Sequence, residues 1–117
     1  MNTFLRNKRV FNHCKKYYDD VNKIAKFNTP IAKNLNYEPI TSIQEKTSIG
    51  ENYYMYLKIN CTALEAKDFK AGDRCYIYAT KPVTHDPLCK TADYEVESMP
   101  LTTLNDASLM LKRLSSK

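Results

Sequence analysis

The sequence predicts an α+β domain: one long helix packed on a four-stranded antiparallel sheet, with a short C-terminal helix added. Three observations predict it. Apolar and aromatic positions recur at spacings of three and four across residues 10–27, the period of an amphipathic helix. From Asn52 the chain alternates, with Tyr53, Met55, Leu57, Ile59 and Cys61 on one face and Tyr54, Tyr56, Lys58 and Asn60 on the other. Two further alternating runs, at 74–80 and 91–99, flank a loop holding two prolines.

The helix over 10–27 is drawn from Val10, Cys14, Tyr17, Tyr18, Val21, Ile24 and Ala25. Asn28-Thr29-Pro30 ends it, because the residue before a proline is pushed out of the helical region. Residues 37–49 read as a strand with a bulge, since the alternation slips between Ile40 and Ile43. Gly50 then supplies the positive φ of a tight connection into the central strand. Residues 62–73 are a charged connection with room for a turn of helix before Gly72. In the third strand Cys75, Ile77 and Ala79 oppose Tyr76 and Tyr78, and in the fourth Ala92, Tyr94 and Val96 face inward. Asn105 caps a C-terminal helix over about 105–115, with Ala107, Met110, Leu111 and Leu114 as its stripe.

The 117 residues suit a single domain, with a core over about 10–98 and a basic arm over 1–9. No stretch reaches the roughly 18 apolar residues of a membrane span, and the N-terminus lacks the apolar core of a secretion signal. A cytosolic protein is the expectation, or a secreted one if a leader has been removed. The net charge of +5 lies in residues 1–40, where Arg6, Lys8, Arg9, Lys15, Lys16, Lys23, Lys26 and Lys33 outnumber Asp19, Asp20 and Glu38. Such a segment suits an acidic partner, a nucleic acid or an anionic membrane surface, or is simply a solvated helix face with a frayed arm.

Cys14, Cys61, Cys75 and Cys89 lack the paired spacing of a zinc site. Two readings stay open: a Cys61–Cys75 disulfide across the base of the 62–74 connection, leaving Cys14 and Cys89 over, or four reduced and mostly buried thiols. His13 and Cys14, with His85 and Asp86, offer the residue types of a Cys-His nucleophile. On the predicted helix, however, His13 and Cys14 point about 100° apart, and no oxyanion-hole, phosphate-loop or cofactor motif accompanies them. The expectation is a protein that is not an enzyme and holds no cofactor or metal.

The segment Ile24-Ala25-Lys26-Phe27-Asn28, and Lys46-Thr47-Ser48-Ile49-Gly50 followed by Glu51-Asn52-Tyr53-Tyr54, resemble the cystatin superfamily over about residues 10–98. Cystatins typically show Ala-Val-x-x-Tyr-Asn at the helix end, a Gln-Val-Val-Ala-Gly hairpin and then x-Asn-Tyr. The resemblance implies a sheet wrapped around the helix and a contact with papain-like cysteine proteases. That contact would use the arm before the helix, the hairpin residues Lys46, Thr47, Ser48, Ile49 and Gly50, and a second hairpin at Pro82 and Val83. Lys46 and Thr47 replace the motif's Gln and first Val, Val83 stands where a Trp is usual, and no glycine precedes Gly50. A weak or retuned inhibitor is what remains implied. Two alternatives stand beside it: an interaction module using an outer face of Tyr54, Tyr56, Tyr76 and Tyr78, and nucleic-acid binding through the basic N-terminal third.

Overall fold

A β-ribbon occupies the place of the expected long helix. In the computed structural model, which describes residues 8–40, 50, 53–97, 101–102 and 106–114, the segment 10–27 passes through three strands. These are β1 (Lys8–Cys14), β2 (Lys16–Asp19) and β3 (Ile24–Phe27). The helical reading fails because Val10, Tyr17, Tyr18, Val21 and Ile24, which set its spacing, are all exposed. The buried residues are Phe11, His13, Cys14 and Phe27, which share no helical stripe. Valine and tyrosine suit a pleated strand, and a helix without an apolar face would have nothing to pack against.

β4 (Ile31–Pro39) runs back antiparallel to β1. His13 pairs with Ile31 and Lys16 pairs with Phe27, so two residues on the outgoing strand face Asn28, Thr29 and Pro30 on the returning one. One residue too many makes a bulge, which bends the ribbon, and Pro30 suits it because it has no N–H to donate. Beyond the bend β2 and β3 pair only with each other, as a separate two-stranded sheet.

The remaining elements are β5 (Tyr56–Thr62), α1 (Ala63–Ala66), β6 (Arg74–Tyr76), β7 (Tyr94–Val96), β8 (Leu101–Thr102) and β9 (Asp106–Arg113). Around the molecule the order is β5-β4-β1-β6-β7-β9, and β9 pairs with β5 again, closing a six-stranded antiparallel barrel. β8 continues the edge of β9 that β7 begins. β6 lies beside β1 after three consecutive strands, the Greek-key order. Closure leaves the barrel no open edge. The cystatin-like α+β architecture of a sheet around a long helix is therefore not the fold of this chain.

The expected C-terminal helix is also a strand. Ala107, Leu109 and Leu111 are buried while Ser108, Met110 and Lys112 are half-buried, a period of two. Its Ala, Leu, Met, Lys and Arg favour helix, but β9 gains ladders with β5 on one side and with β7 and β8 on the other. Nearest-neighbour pairing overrides a propensity of a few tenths of a kcal/mol per residue. Other expectations hold. Leu57, Ile59 and Cys61 face inward from β5, Ala92, Tyr94 and Val96 are buried, and Gly50 has φ of 96°. The turn of helix after Thr62 is α1, and Thr62 and Glu65 cap each other's backbone N–H groups in a capping box.

Inside the barrel sit Phe11, Leu35, Tyr37, Leu57, Ile59, Cys61, Cys75, Val96, Leu109 and Leu111. Phe69 closes one end, with its ring near that of Phe11 and stacked on His13 at 4.3 Å. A second cluster of Cys14, Phe27, Tyr76, Cys89 and Ala92 lies on the outer side of β1 and β6. Among the described residues no helix is long and apolar enough to cross a membrane.

Candidate docking surface

The β2–β3 hairpin carries the largest group of exposed apolar residues on one described element. Val21 at its tip is 90% exposed and Tyr18 59%, with Tyr17 and Ile24 also exposed. Its tip is nonetheless ordered. The Asp19 carboxylate accepts the backbone N–H of Val21 at 3.0 Å and of Asn22 at 3.2 Å, and the Asn22 side-chain amide at 2.8 Å. Lys26, across the hairpin, pairs with it at 2.8 Å. Lys26 and Asn22 hold the Asp19 carboxyl far below the usual carboxylate range. Lys23, at φ of 57°, turns the chain back in the left-handed region.

The foot of the hairpin is held by the 77–93 loop. The Phe27 N–H donates to the Pro87 carbonyl at 2.8 Å, and His85 Nε2 donates to the Phe27 carbonyl at 2.8 Å. Arg74 lies over the Phe27 ring at 5.1 Å. The loop is itself pinned by Asp93, whose carboxylate accepts the N–H groups of Ile77, Tyr78 and Ala79 at 2.8, 2.8 and 3.2 Å.

Beside the foot, Lys15, Lys16, Lys67 and Lys70 surround a cavity of about 180 Å³ that also touches Asn28, Asp68 and Asp73. Both carboxylates are already matched. Asp68 pairs with Lys33 at 2.8 Å and Lys15 at 3.6 Å. Asp73, fully buried, accepts from His13 Nε2 at 2.7 Å, from the Lys16 N–H at 2.9 Å and from the Lys70 N–H at 3.0 Å. Burial raises the Asp73 pKa, but His13 and the two backbone donors outweigh it and the carboxyl stays below its ordinary range. Lys16, Lys67 and Lys70 have no acidic partner among the described residues. The Lys16 side chain also lies over Gly72, whose φ of 95° disfavours any residue with a side chain.

The residues singled out from sequence are dispersed. Lys46, Thr47, Ser48 and Ile49 lie outside the described residues, and Gly50 is exposed. Pro82 and Val83 sit in the 77–93 loop, with Val83 fully exposed. Tyr54, Tyr56, Tyr76 and Tyr78 do not form one face, because β5 and β6 stand on opposite sides of the barrel. Tyr76 is buried, and Tyr78 packs edge-on against Tyr37 and Tyr94 at 6.1 Å. All four cysteines are unbridged; Cys61 and Cys75 project inward from opposite walls, while Cys14 and Cys89 meet in the outer cluster. His13 and Cys14, on successive positions of a strand, point to opposite faces: His13 to Asp73 and Cys14 to Cys89. The hairpin had a legible signal in Tyr17-Tyr18 and Asp19 to Asn22, but helix periodicity masked it.

Comparison with protein-family models, with curated proteins and with solved structures found no match.

Proposed function

We propose that the chain is a non-catalytic protein-binding domain that docks through the β2–β3 hairpin onto a protein surface offering an apolar recess beside acidic groups. The observation that carries this reading is the ordered hairpin, where Tyr17, Tyr18, Val21 and Ile24 stay in water although the β2–β3 ladder and the Asp19 network at the tip fix their backbone. A pre-ordered apolar protrusion loses little entropy when it binds, and tyrosine is a frequent anchor of interface energy. The unmatched Lys16, Lys67 and Lys70 at the foot supply the charge that an acidic rim would complement. The absence of catalysis is supported by where the histidines go. His13 is fully buried with Nε2 on Asp73, and His85 uses Nε2 on the Phe27 carbonyl, so neither ring presents that nitrogen to a substrate. The protease contact implied by the resemblance is not carried forward, because it presupposes a wedge built on a helix and sheet that this chain does not form.

A photo-crosslinking residue in place of Val21, with one in place of Val83 as the control, tests the proposal. The first should capture one protein partner whose cross-linked site borders acidic residues, and the second should not. Tyr18→Ala should weaken that binding about 30-fold, the effect of a hot spot worth about 2 kcal/mol. Lys67→Glu combined with Lys70→Glu should slow association and flatten its dependence on salt. Binding indifferent to both changes overturns the reading. So does an oligonucleotide that binds with a steep salt dependence and protects the same lysines, which would make the surface a nucleic-acid site.

A further inference from the structure

We propose that Cys14 and Cys89 form a reversible oxidation site, closing under a small hydroperoxide to a disulfide that ties β1 to the loop holding the hairpin foot. The two residues are 75 positions apart (89 − 14) yet lie in one cluster with Phe27, Tyr76 and Ala92, each fully buried. Each thiol is the other's principal side-chain neighbour in electrostatic terms. Two thiols that interact within one packed cluster are neighbours from which the ~2.05 Å bond of a disulfide can close. The loop is strained to put Cys89 there. Its φ of 46° is one of two positive values at non-glycine residues among the described residues. Hydrogen bonds on both sides hold that conformation, with the Cys89 N–H donating to the Asp86 carbonyl at 3.0 Å and the Asp86 carboxylate accepting from the Lys90 N–H at 2.9 Å.

Placement names the nucleophile: Cys89 lies in the surface loop between exposed Leu88 and Lys90, whereas Cys14 lies at the end of β1. The interaction with Cys14 holds Cys89 below the ordinary thiol range against its burial, with His85 acting in the same direction. The same interaction, with burial and nearby negative charge, holds Cys14 far above it. The Cys89 thiolate attacks one peroxide oxygen, the O–O bond breaks, and a sulfenic acid and hydroxide form. The hydroxide takes up the proton Cys89 has lost. Cys14 then attacks the Cys89 sulfur, the S–O bond breaks, and water leaves with the Cys14 proton. Two thiols lose two electrons and two protons, and the peroxide becomes two waters. Exposed Leu88 and Lys90 flank Cys89, so it lies in a surface loop whose local opening admits a molecule the size of peroxide. Cys61 and Cys75 point into the barrel from opposite walls, and burial pushes Cys61 up to about 11 and Cys75 well above its ordinary value, so they stay reduced.

The site does not depend on what the hairpin binds. Folded full-length protein is treated with hydrogen peroxide, its remaining thiols are alkylated after unfolding, and peptides are mapped without reductant. The expected result is one linkage, between the Cys14 and Cys89 peptides, with Cys61 and Cys75 alkylated. The oxidised protein should melt higher by roughly 5 °C or more, and dithiothreitol should reverse the shift. Cys14→Ser should leave Cys89 to accumulate sulfenic and sulfinic acids without any gain in melting temperature. Linkage of other cysteines, overoxidation of Cys89 in the wild-type chain, or no linkage while the protein remains folded overturns the proposal, and the mapping on wild-type protein needs no variant to fold.

Discussion

Asp73→Ala should lower the unfolding free energy by about 3 to 5 kcal/mol, the cost of removing one partner from a buried pair. The side chain sits at the end of the barrel closed by Phe69, fully buried, and three donors converge on it: His13 Nε2, the Lys16 N–H and the Lys70 N–H. The His13 ring would lose its acceptor in a place water does not reach freely, while the Lys16 and Lys70 N–H groups are only partly buried beside the lysine-lined cavity. His13 already has no partner for Nδ1, so the change would strand both ring nitrogens. Urea denaturation measures the loss as a lower midpoint at unchanged slope. Asp73→Asn, which keeps the shape and one acceptor oxygen, should lose less. The His13→Ala and Asp73→Ala double variant should lose less than the sum of the singles, because the two residues act as one unit. The sign with pH follows from the direction of the shift. Asp73 has a lower pKa folded than unfolded, so its contribution is complete above the unfolded value of about 4 and fades as pH falls through the lower folded value. The gap between wild type and Asp73→Ala should therefore narrow in acid. A loss under about 1 kcal/mol at neutral pH would mean that the pair does not hold the barrel end.

What the sequence could and could not show follows from the reach of each signal. β5 was legible because its inward residues Leu57, Ile59 and Cys61 alternate with Lys58 and Asn60 within one strand, and the positive φ at residue 50 because that conformation selects glycine. The ribbon over residues 10–27 was not. Its apolar residues Val10, Tyr17, Tyr18, Val21 and Ile24 lie on the surface, and a periodicity search assumes that apolar residues mark the core. β9 was legible in principle, since Ala107, Leu109 and Leu111 alternate, but strong helix formers at the same positions pulled the reading the other way. The His13–Asp73 pair spans sixty residues and the Cys14–Cys89 contact spans more, and nothing local announces either. Only closure of the barrel brings β1 beside β6 and so unites both pairs at one end of the molecule. The misread helix also carried the cystatin resemblance with it, because half of that likeness rested on Ile24 to Asn28 as a helix end, and these residues are β3 and the bulge beyond it.

Asp93→Ala should cost about 2 to 4 kcal/mol and, more tellingly, should release the hairpin foot while leaving the barrel closed. The carboxylate is the common acceptor of the Ile77, Tyr78 and Ala79 N–H groups, which turn the chain out of β6 into the 77–93 loop. Tyr78 is exposed, so its N–H would find water, but Ile77 is buried and Ala79 half-buried, leaving two donors poorly matched. That loop is what the hairpin rests on, through Pro87 and His85 against Phe27, and it carries Cys89 to Cys14. Amide exchange should therefore accelerate at Ile77, Ala79, Phe27 and Cys89 and stay slow at Ile59 and Leu109 in the barrel wall. The same variant should weaken partner binding at the hairpin without touching a contact residue, because an element that must be ordered at the moment of binding binds less tightly. Asp93→Asn, with one acceptor oxygen left, should fall between. Unchanged exchange at Phe27 and Cys89 would show that the foot of the hairpin holds its place without the loop, and that the docking surface is set by the β1–β4 ribbon alone.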